Sequence, residues 1–329
     1  MSVRLSLAAQ SGGFAVPAEG RIAVFHPRAD HDLSALPKDQ VLVIQPFRPD
    51  HDHFAAMGYA CVPAPEADGE FAAAVVFLPR AKALARMLVA QAAASTQGQV
   101  LIDGAKTEGV DSVLKALRQR CKPSAPVSKA HGKVFWIDGG TDLADWLPGE
   151  NQPVEGFVTA PGVFSADGID PASRMLAEML PAKLGRCVAD LGAGWGYLSA
   201  QVLQREGVEE LHLAEADYHA LACARQNVAD ARAHFHWADA RSWKAPGMVN
   251  TVVMNPPFHT GRAAEPSLGQ AFIGAAASML AANGSLWMVA NRHLPYETLL
   301  AERFAQVREE GGDNRFKILH AARPKRARK

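Results

Sequence analysis

In the second half of the chain the apolar positions gather into short runs separated by longer amphipathic stretches. CVADLG (187–192), LHLAEA (211–216), FHWADA (235–240), NTVVM (250–254), SLWMVA (285–290) and RFKILHAA (315–322) predict strands. PASRMLAEML (171–180), YLSAQVLQRE (197–206), YHALACARQNVA (218–229) and an Ala-rich segment over 268–282 predict helices. The first of these has proline in its opening turn, where a missing N–H costs nothing. Strands alternating with helices of this length imply a mainly parallel sheet covered on both faces. Such a sheet binds ligands at the carboxyl ends of its strands. Two unusual segments, DLGAGWG (190–196) and NPPFH (255–259), fall at those ends.

The first half repeats part of this pattern. Residues 73–110 read strand, Ala-rich helix, strand, as do residues 250–295, and HGKVFWID (131–138) then parallels NRFKILHA (314–321). Placing Val75 and Val76 on Val252 and Val253 sets Leu78 opposite Asn255 and Pro79 opposite Pro256. No DxGxGxG loop is present in the first half, so it reads as a diverged copy that has lost its chemistry. Proline-rich, polar stretches at 121–128 and 147–153 place a boundary near residue 150, giving domains over 1–150 and 151–329.

Length and composition agree with two soluble domains: 329 residues exceed what one core usually serves, 48% are hydrophobic and 21% charged. The 34 basic and 34 acidic residues cancel, which excludes a globally basic nucleic-acid binder. The stretch RPKRARK (323–329) nevertheless carries five positive charges, as a solvated end or a phosphate-contacting arm would. FAAAVVFLP (71–79) fits a buried strand rather than a membrane span, and the opening residues break at Gly12 and Gly13 before a secretory core develops. No membrane association or export is expected. Cys61, Cys121, Cys187 and Cys223 form no CxxC pair. Their scatter argues against disulfides or a thiolate zinc site and fits a reducing cytoplasm. His51, Asp52 and His53 lie beside Pro49, which suggests a loop, and lack a third ligand, so no metal is expected.

In DLGAGWG, Gly192, Gly194 and Gly196 lie between a strand and a helix, where the main chain can approach a ligand closely. The spacing departs from the dinucleotide fingerprint GxGxxG. Asp190 at the strand end suits a cationic amino-acid ligand better than a pyrophosphate. Glu215, 19 residues after Gly196, ends the next strand, where a carboxylate can hold both ribose hydroxyls. Asp239 ends the third strand, placed to contact an adenine edge. In this order, followed by NPPF, these features resemble the class I S-adenosylmethionine-dependent methyltransferases over about 163–322. The resemblance implies two tandem Rossmann-like α/β methyltransferase domains: a degenerate N-terminal one serving recognition or support, and a catalytic C-terminal one with a mainly parallel seven-stranded sheet.

NPPF narrows the chemistry. Members carrying [ND]PP[FY] methylate exocyclic or amide nitrogens, which are conjugated and weakly nucleophilic. The Asn255 side-chain oxygen and the Pro256 carbonyl can accept the amine's two hydrogens and aim its lone pair, while Pro257 keeps the turn rigid and Phe258 offers a face for stacking a base. GVFSADGIDPASRML (162–176), NPPFHTG (255–261), VANRHLPY (289–296) and NRFKILHA (314–321) resemble the ribosomal RNA small-subunit methyltransferase C family and its large-subunit relatives, which make N2-methylguanine. The resemblance implies that Phe164 and Asp167 lie over the cofactor pocket and Phe316 near the target base. It further implies S-adenosylmethionine as cofactor, ribosomal RNA or the small ribosomal subunit as partner, and a monomer as the acting form. Two other readings remain open: adenine-N6 methylation of DNA or glutamine-N5 methylation of protein, and a non-catalytic RNA-binding or assembly factor.

Overall fold

The computed structural model describes residues 3–10, 13–65, 69–149, 153–257 and 266–325. The chain divides into two units, Met1–Asn151 and Gln152–Lys329. Unit 1 runs α1 (Val3–Gln10), β1 (Ile22–Phe25), β2 (Val41–Ile44), α2 (Arg48–Ala56), β3 (Ala60–Val62), β4 (Ala73–Phe77), α3 (Lys82–Ser95), β5 (Gln99–Ala105), α4 (Val110–Leu117), β6 (Val127–Lys129) and β7 (Gly132–Asp138). Unit 2 runs α5 (Pro171–Met179), β8 (Cys187–Leu191), α6 (Tyr197–Val202), β9 (Glu210–Glu215), α7 (Tyr218–Asn227), β10 (Ala233–Trp237), β11 (Val249–Met254), α8 (Pro266–Met279), β12 (Leu280–Asn291), α9 (Tyr296–Arg303), β13 (Phe304–Gly312) and β14 (Phe316–Pro324). Among the described residues no helix is long and apolar enough to cross a membrane.

The two sheets have one topology. Their orders are β3-β2-β1-β4-β5-β7-β6 and β10-β9-β8-β11-β12-β14-β13, parallel except where β7 and β14 enter antiparallel. Central strands are apolar on both faces because helices cover both: all five residues of β4 are buried, as are four of five in β8. In unit 1, Phe25, Val76 and Ile102 pack under α3; in unit 2, Leu191, Met254 and Met288 pack under α8.

This packing corrects the sequence alignment of the two halves by one residue. Side chains alternate across a sheet, so the α3 face of β4 must match the α8 face of β11. Val76 therefore corresponds to Met254, not Val253. The turn after the first strand agrees: His26 N–H donates to the Ile44 carbonyl at 2.9 Å, as Gly192 N–H donates to the Ala214 carbonyl at 2.8 Å. Phe77, not Leu78, stands where Asn255 stands, and Leu78 and Pro79 match Pro256 and Pro257. Val24, His26 and Gln45 match Asp190, Gly192 and Glu215.

Other differences have local causes. The segment around His51 is helical, since Pro49 occupies the first turn of α2 and breaks no bond there. The predicted Ala-rich helix ends at Met279 because Leu280 already pairs with Val249 of β11. β13 escapes the sequence pattern: it is an edge strand with mostly exposed side chains and no apolar run.

Candidate functional site

Adjacent strands β9, β8 and β11 bring Glu215, Asp190 and Asn255 to one end of the unit 2 sheet. Asp190 is fully buried. Its Oδ2 accepts a hydrogen bond from Ser199 Oγ at 2.7 Å, and its Oδ1 has no partner among the described residues. Burial pushes its carboxyl up to about 7, against the pull of the Ser199 bond. An orphaned buried acceptor at the mouth of a glycine loop is suited to a ligand's ammonium group.

Glu215 fastens that loop. Its Oε2 accepts from Gly194 N–H and its Oε1 from Asp217 N–H, both at 2.7 Å, and burial raises its carboxyl to about 7 as well. The loop glycines differ in purpose. Gly194 has φ 56°, and a Cβ there would meet nothing within 4 Å, so it leaves open space. At Gly196 a Cβ would come within 2.8 Å of Val228, so its small size serves the packing of α7. Between them Trp195 donates from Nε1 to the Phe164 carbonyl at 2.9 Å, tying the loop to the segment that precedes α5.

Asn255 is held by α5. Its Nδ2 donates to Asp170 Oδ2 at 2.9 Å and to Ser173 Oγ at 2.8 Å. Asp170 is the N-cap of α5, and the same Oδ2 accepts from Ser173 N–H at 2.8 Å. A carboxylate can only accept, so chemistry decides which end of the amide faces it. The Ser173 hydroxyl could donate to a reversed amide, but the reverse orientation would lose the Asp170 bond and set the amide oxygen against the carboxylate, costing about 1.5–3 kcal/mol or at least about 10-fold in population. Among the described residues no donor reaches Asn255 Oδ1. Pro256 is buried and Pro257 exposed.

Phe164, Asp170, Ser173, Gly192, Gly194 and Asn255 line one cleft. Phe164 is 65% exposed at its rim. Asp167 is exposed and outside the lining, and Asp170, three positions on, is the acid that reaches the cleft. Asp190, Gly196 and Glu215 stand behind the lining, and Asp239 also lies outside it. Burial pushes the Asp239 carboxyl upward, but Arg241 donates to both its oxygens and holds it below the ordinary range. Phe316 is half-buried at the start of β14, paired with Asn291 at the same end of the sheet, with Arg315 5.0 Å over its ring. Phe258 and His259 lie outside the described residues, as do residues 326–329 of the basic stretch. Sequence reasoning missed Asp170 and Ser173. The available signal was an acid immediately before a helix-opening proline.

Comparison with known proteins agrees with this geometry. Residues 155–320 match the family described as the methyltransferase small domain, and residues 22–142 match the methyltransferase small domain N-terminal family. A Hahella chejuensis protein named ribosomal RNA small subunit methyltransferase C is 30% identical over 274 residues, spanning 78% of this chain and 79% of that one. A Shewanella halifaxensis protein of the same name is 32% identical over 266 residues, spanning 76% and 77%. The fold is similar to a T. thermophilus 16S rRNA N2 methyltransferase solved with AdoMet and guanosine, with a TM-score of 0.79, 24% identity, and coverage of 97% of this chain and 91% of that one. The chain belongs to the methyltransferase small-domain family, in its ribosomal RNA small subunit methyltransferase C branch of the S-adenosylmethionine-dependent enzymes.

Proposed function

We propose that this protein transfers a methyl group from S-adenosylmethionine to the exocyclic N2 of a guanine in ribosomal RNA, the small-subunit RNA in particular, acting as a cytoplasmic monomer. The names of its relatives support the substrate class. The observation that carries the chemistry is the fixed orientation of the Asn255 amide, whose two N–H bonds are spent on Asp170 and Ser173.

Asp190 and Glu215 would hold the cofactor's cationic and hydroxyl groups, with Gly192 and Gly194 admitting it close to the main chain. The bound cofactor supplies an electrophilic methyl on a sulfonium, already a good leaving group. The protein's task is then to present an amine with its lone pair aimed. Asn255 Oδ1 and the Pro256 carbonyl are two acceptors for its two hydrogens, and neither Pro256 nor Pro257 has an N–H to compete. Holding both hydrogens draws the nitrogen out of conjugation with the ring and toward sp³. Asn255 is neutral, so it orients the amine and leaves the released proton to solvent. Phe258 and Phe316 are the side chains proposed to stack the base, and the N-terminal unit is proposed to support recognition.

The test is transfer of labelled methyl groups to small-subunit particles, large-subunit particles, naked ribosomal RNA and DNA, followed by nucleoside analysis. Label is expected in N2-methylguanine of the small-subunit RNA. Label in N6-methyladenine, or in no nucleic acid, contradicts the reading.

A further inference from the structure

The amino-terminal end of the unit 2 sheet, opposite the cleft, carries a second set of chemical side chains. Cys187 opens β8 and Glu210 opens β9, and the two are cross-strand partners. His212, two residues along β9, projects to the same face, and its partner on β10 is His234. One ligand atom each from Cys187, Glu210 and His212 lie within 4.8 Å of one another. His212 Nε2 is 3.2 Å from Glu210 Oε1, and its Nδ1 is 3.1 Å from His236 Nε2. His234 Nε2 lies 3.8 Å from the same Glu210 oxygen. His212 is 3% exposed, and Trp243 packs over His236 with ring centroids 4.8 Å apart.

We propose that this end of the sheet is a binding site for a late first-row divalent cation, zinc in the cell, ligated by Cys187 Sγ, Glu210 Oε1 and His212 Nε2, with His234 at the fourth position. A thiolate and imidazoles select zinc or cobalt over magnesium and calcium, which prefer oxygen alone. Thiolate and carboxylate together carry two negative charges, so the half-buried site is neutral once the ion is bound. Binding releases one proton from the Cys187 thiol to solvent and forms the metal–sulfur bond in its place. The His212–His236 contact supplies the support a metal-bound imidazole needs, with the ring nitrogen away from the ion bonded to a neighbour so that tautomer and ring plane are set. Scattered cysteines conceal the site in the sequence, because three different strands assemble it. The candidate reaction centre sits at the carboxyl ends of these strands, so the ion would clamp β8, β9 and the edge strand β10 together and take no part in methyl transfer.

The experiment uses the full-length protein stripped with a chelator and titrated with Zn²⁺ or, separately, Co²⁺. One ion per chain is expected, with a Kd of ~1 µM or tighter. A hundredfold excess over Kd should raise the Tm by about 5–10 °C. The cobalt form should show a thiolate charge-transfer band and the visible bands of a tetrahedral centre. Cys187→Ser removes the charge-transfer band, and Cys187→Ser, Glu210→Gln and His212→Gln each weaken binding at least ~100-fold, with metal-free folding checked by circular dichroism. Failure of the stripped wild-type protein to bind one ion, or binding left undiminished in Cys187→Ser and Glu210→Gln, overturns the proposal. In that case Glu210, His212 and His236 form only a hydrogen-bonded chain.

Discussion

Unit 1 and unit 2 share one strand order, although α6 has no α-helical counterpart between β1 and β2, and their chemistry differs at the carboxyl ends of the strands. Asp190 is matched by the buried Val24, and Asn255 by Phe77, whose ring stacks on His31 with centroids 4.1 Å apart. Burial drives the His31 imidazole down to about 4, so it stays neutral there. Gly192 has φ 74°, and its match, His26, holds the same left-handed turn at 58° without being glycine. Glu215 is matched by Gln45, fully buried, whose Oε1 accepts from Phe47 N–H at 2.8 Å and whose Nε2 donates to the Pro27 carbonyl at 2.6 Å. The amide thus performs the loop-fastening that Glu215 performs in unit 2. Turn geometry and loop anchoring belong to the fold and survive in both copies. What unit 1 lacks is the charge of Asp190 and Glu215 and the acceptor of Asn255, and those are the parts that need a chemical explanation.

Giving unit 2 the residues of unit 1 sharpens the comparison. The largest effect is expected from Asn255→Phe, which should cut methyl transfer by about 10³-fold while cofactor affinity, measured by calorimetry, changes little. A parallel loss of affinity would mean that Asn255 belongs to the cofactor pocket. Next comes Glu215→Gln. The fold should persist, as Gln45 indicates, but cofactor affinity should fall about 10- to 100-fold with loss of the charged acceptor.

A smaller effect follows from pH. Asp190 and Glu215 titrate near 7, raised by burial. In the free protein they are protonated below that, and stability drawn from these two groups is lost as pH rises through 7. A cationic ligand needs them charged, so cofactor affinity should rise about tenfold between about pH 6 and pH 8. An affinity flat across that range would show that the two carboxyls are already ionised or do not meet the ligand.

The alternation of strand and helix was legible in the sequence because the central strands of unit 2 are short apolar runs and amphipathic stretches of helical length separate them. The register between the halves was not. VVF and VVM are apolar on both faces in a doubly covered sheet, so the period of two that would expose a one-residue slip is absent. β13 was hidden for the opposite reason, as an edge strand with a polar pattern. Asp190, Gly194, Glu215 and Asn255 could be read because strand ends are the rule for such sheets. Asp170 could not, because a helix cap and a ligand to an amide 85 residues away look alike in one dimension. Asp239 reads as free in sequence, yet Arg241, two residues on, occupies it.

The Asn255 amide acts in the orientation that α5 imposes on it, and a double-mutant cycle tests this. Single-turnover methyl transfer is measured for Ser173→Ala, Asn255→Ala and the pair, with cofactor saturating. Ser173→Ala alone should slow transfer about 3- to 10-fold by loosening the amide, and in the Asn255→Ala background it should do nothing further. Equal, multiplying effects of Ser173→Ala in both backgrounds would contradict the claim that Ser173 acts through the Asn255 amide.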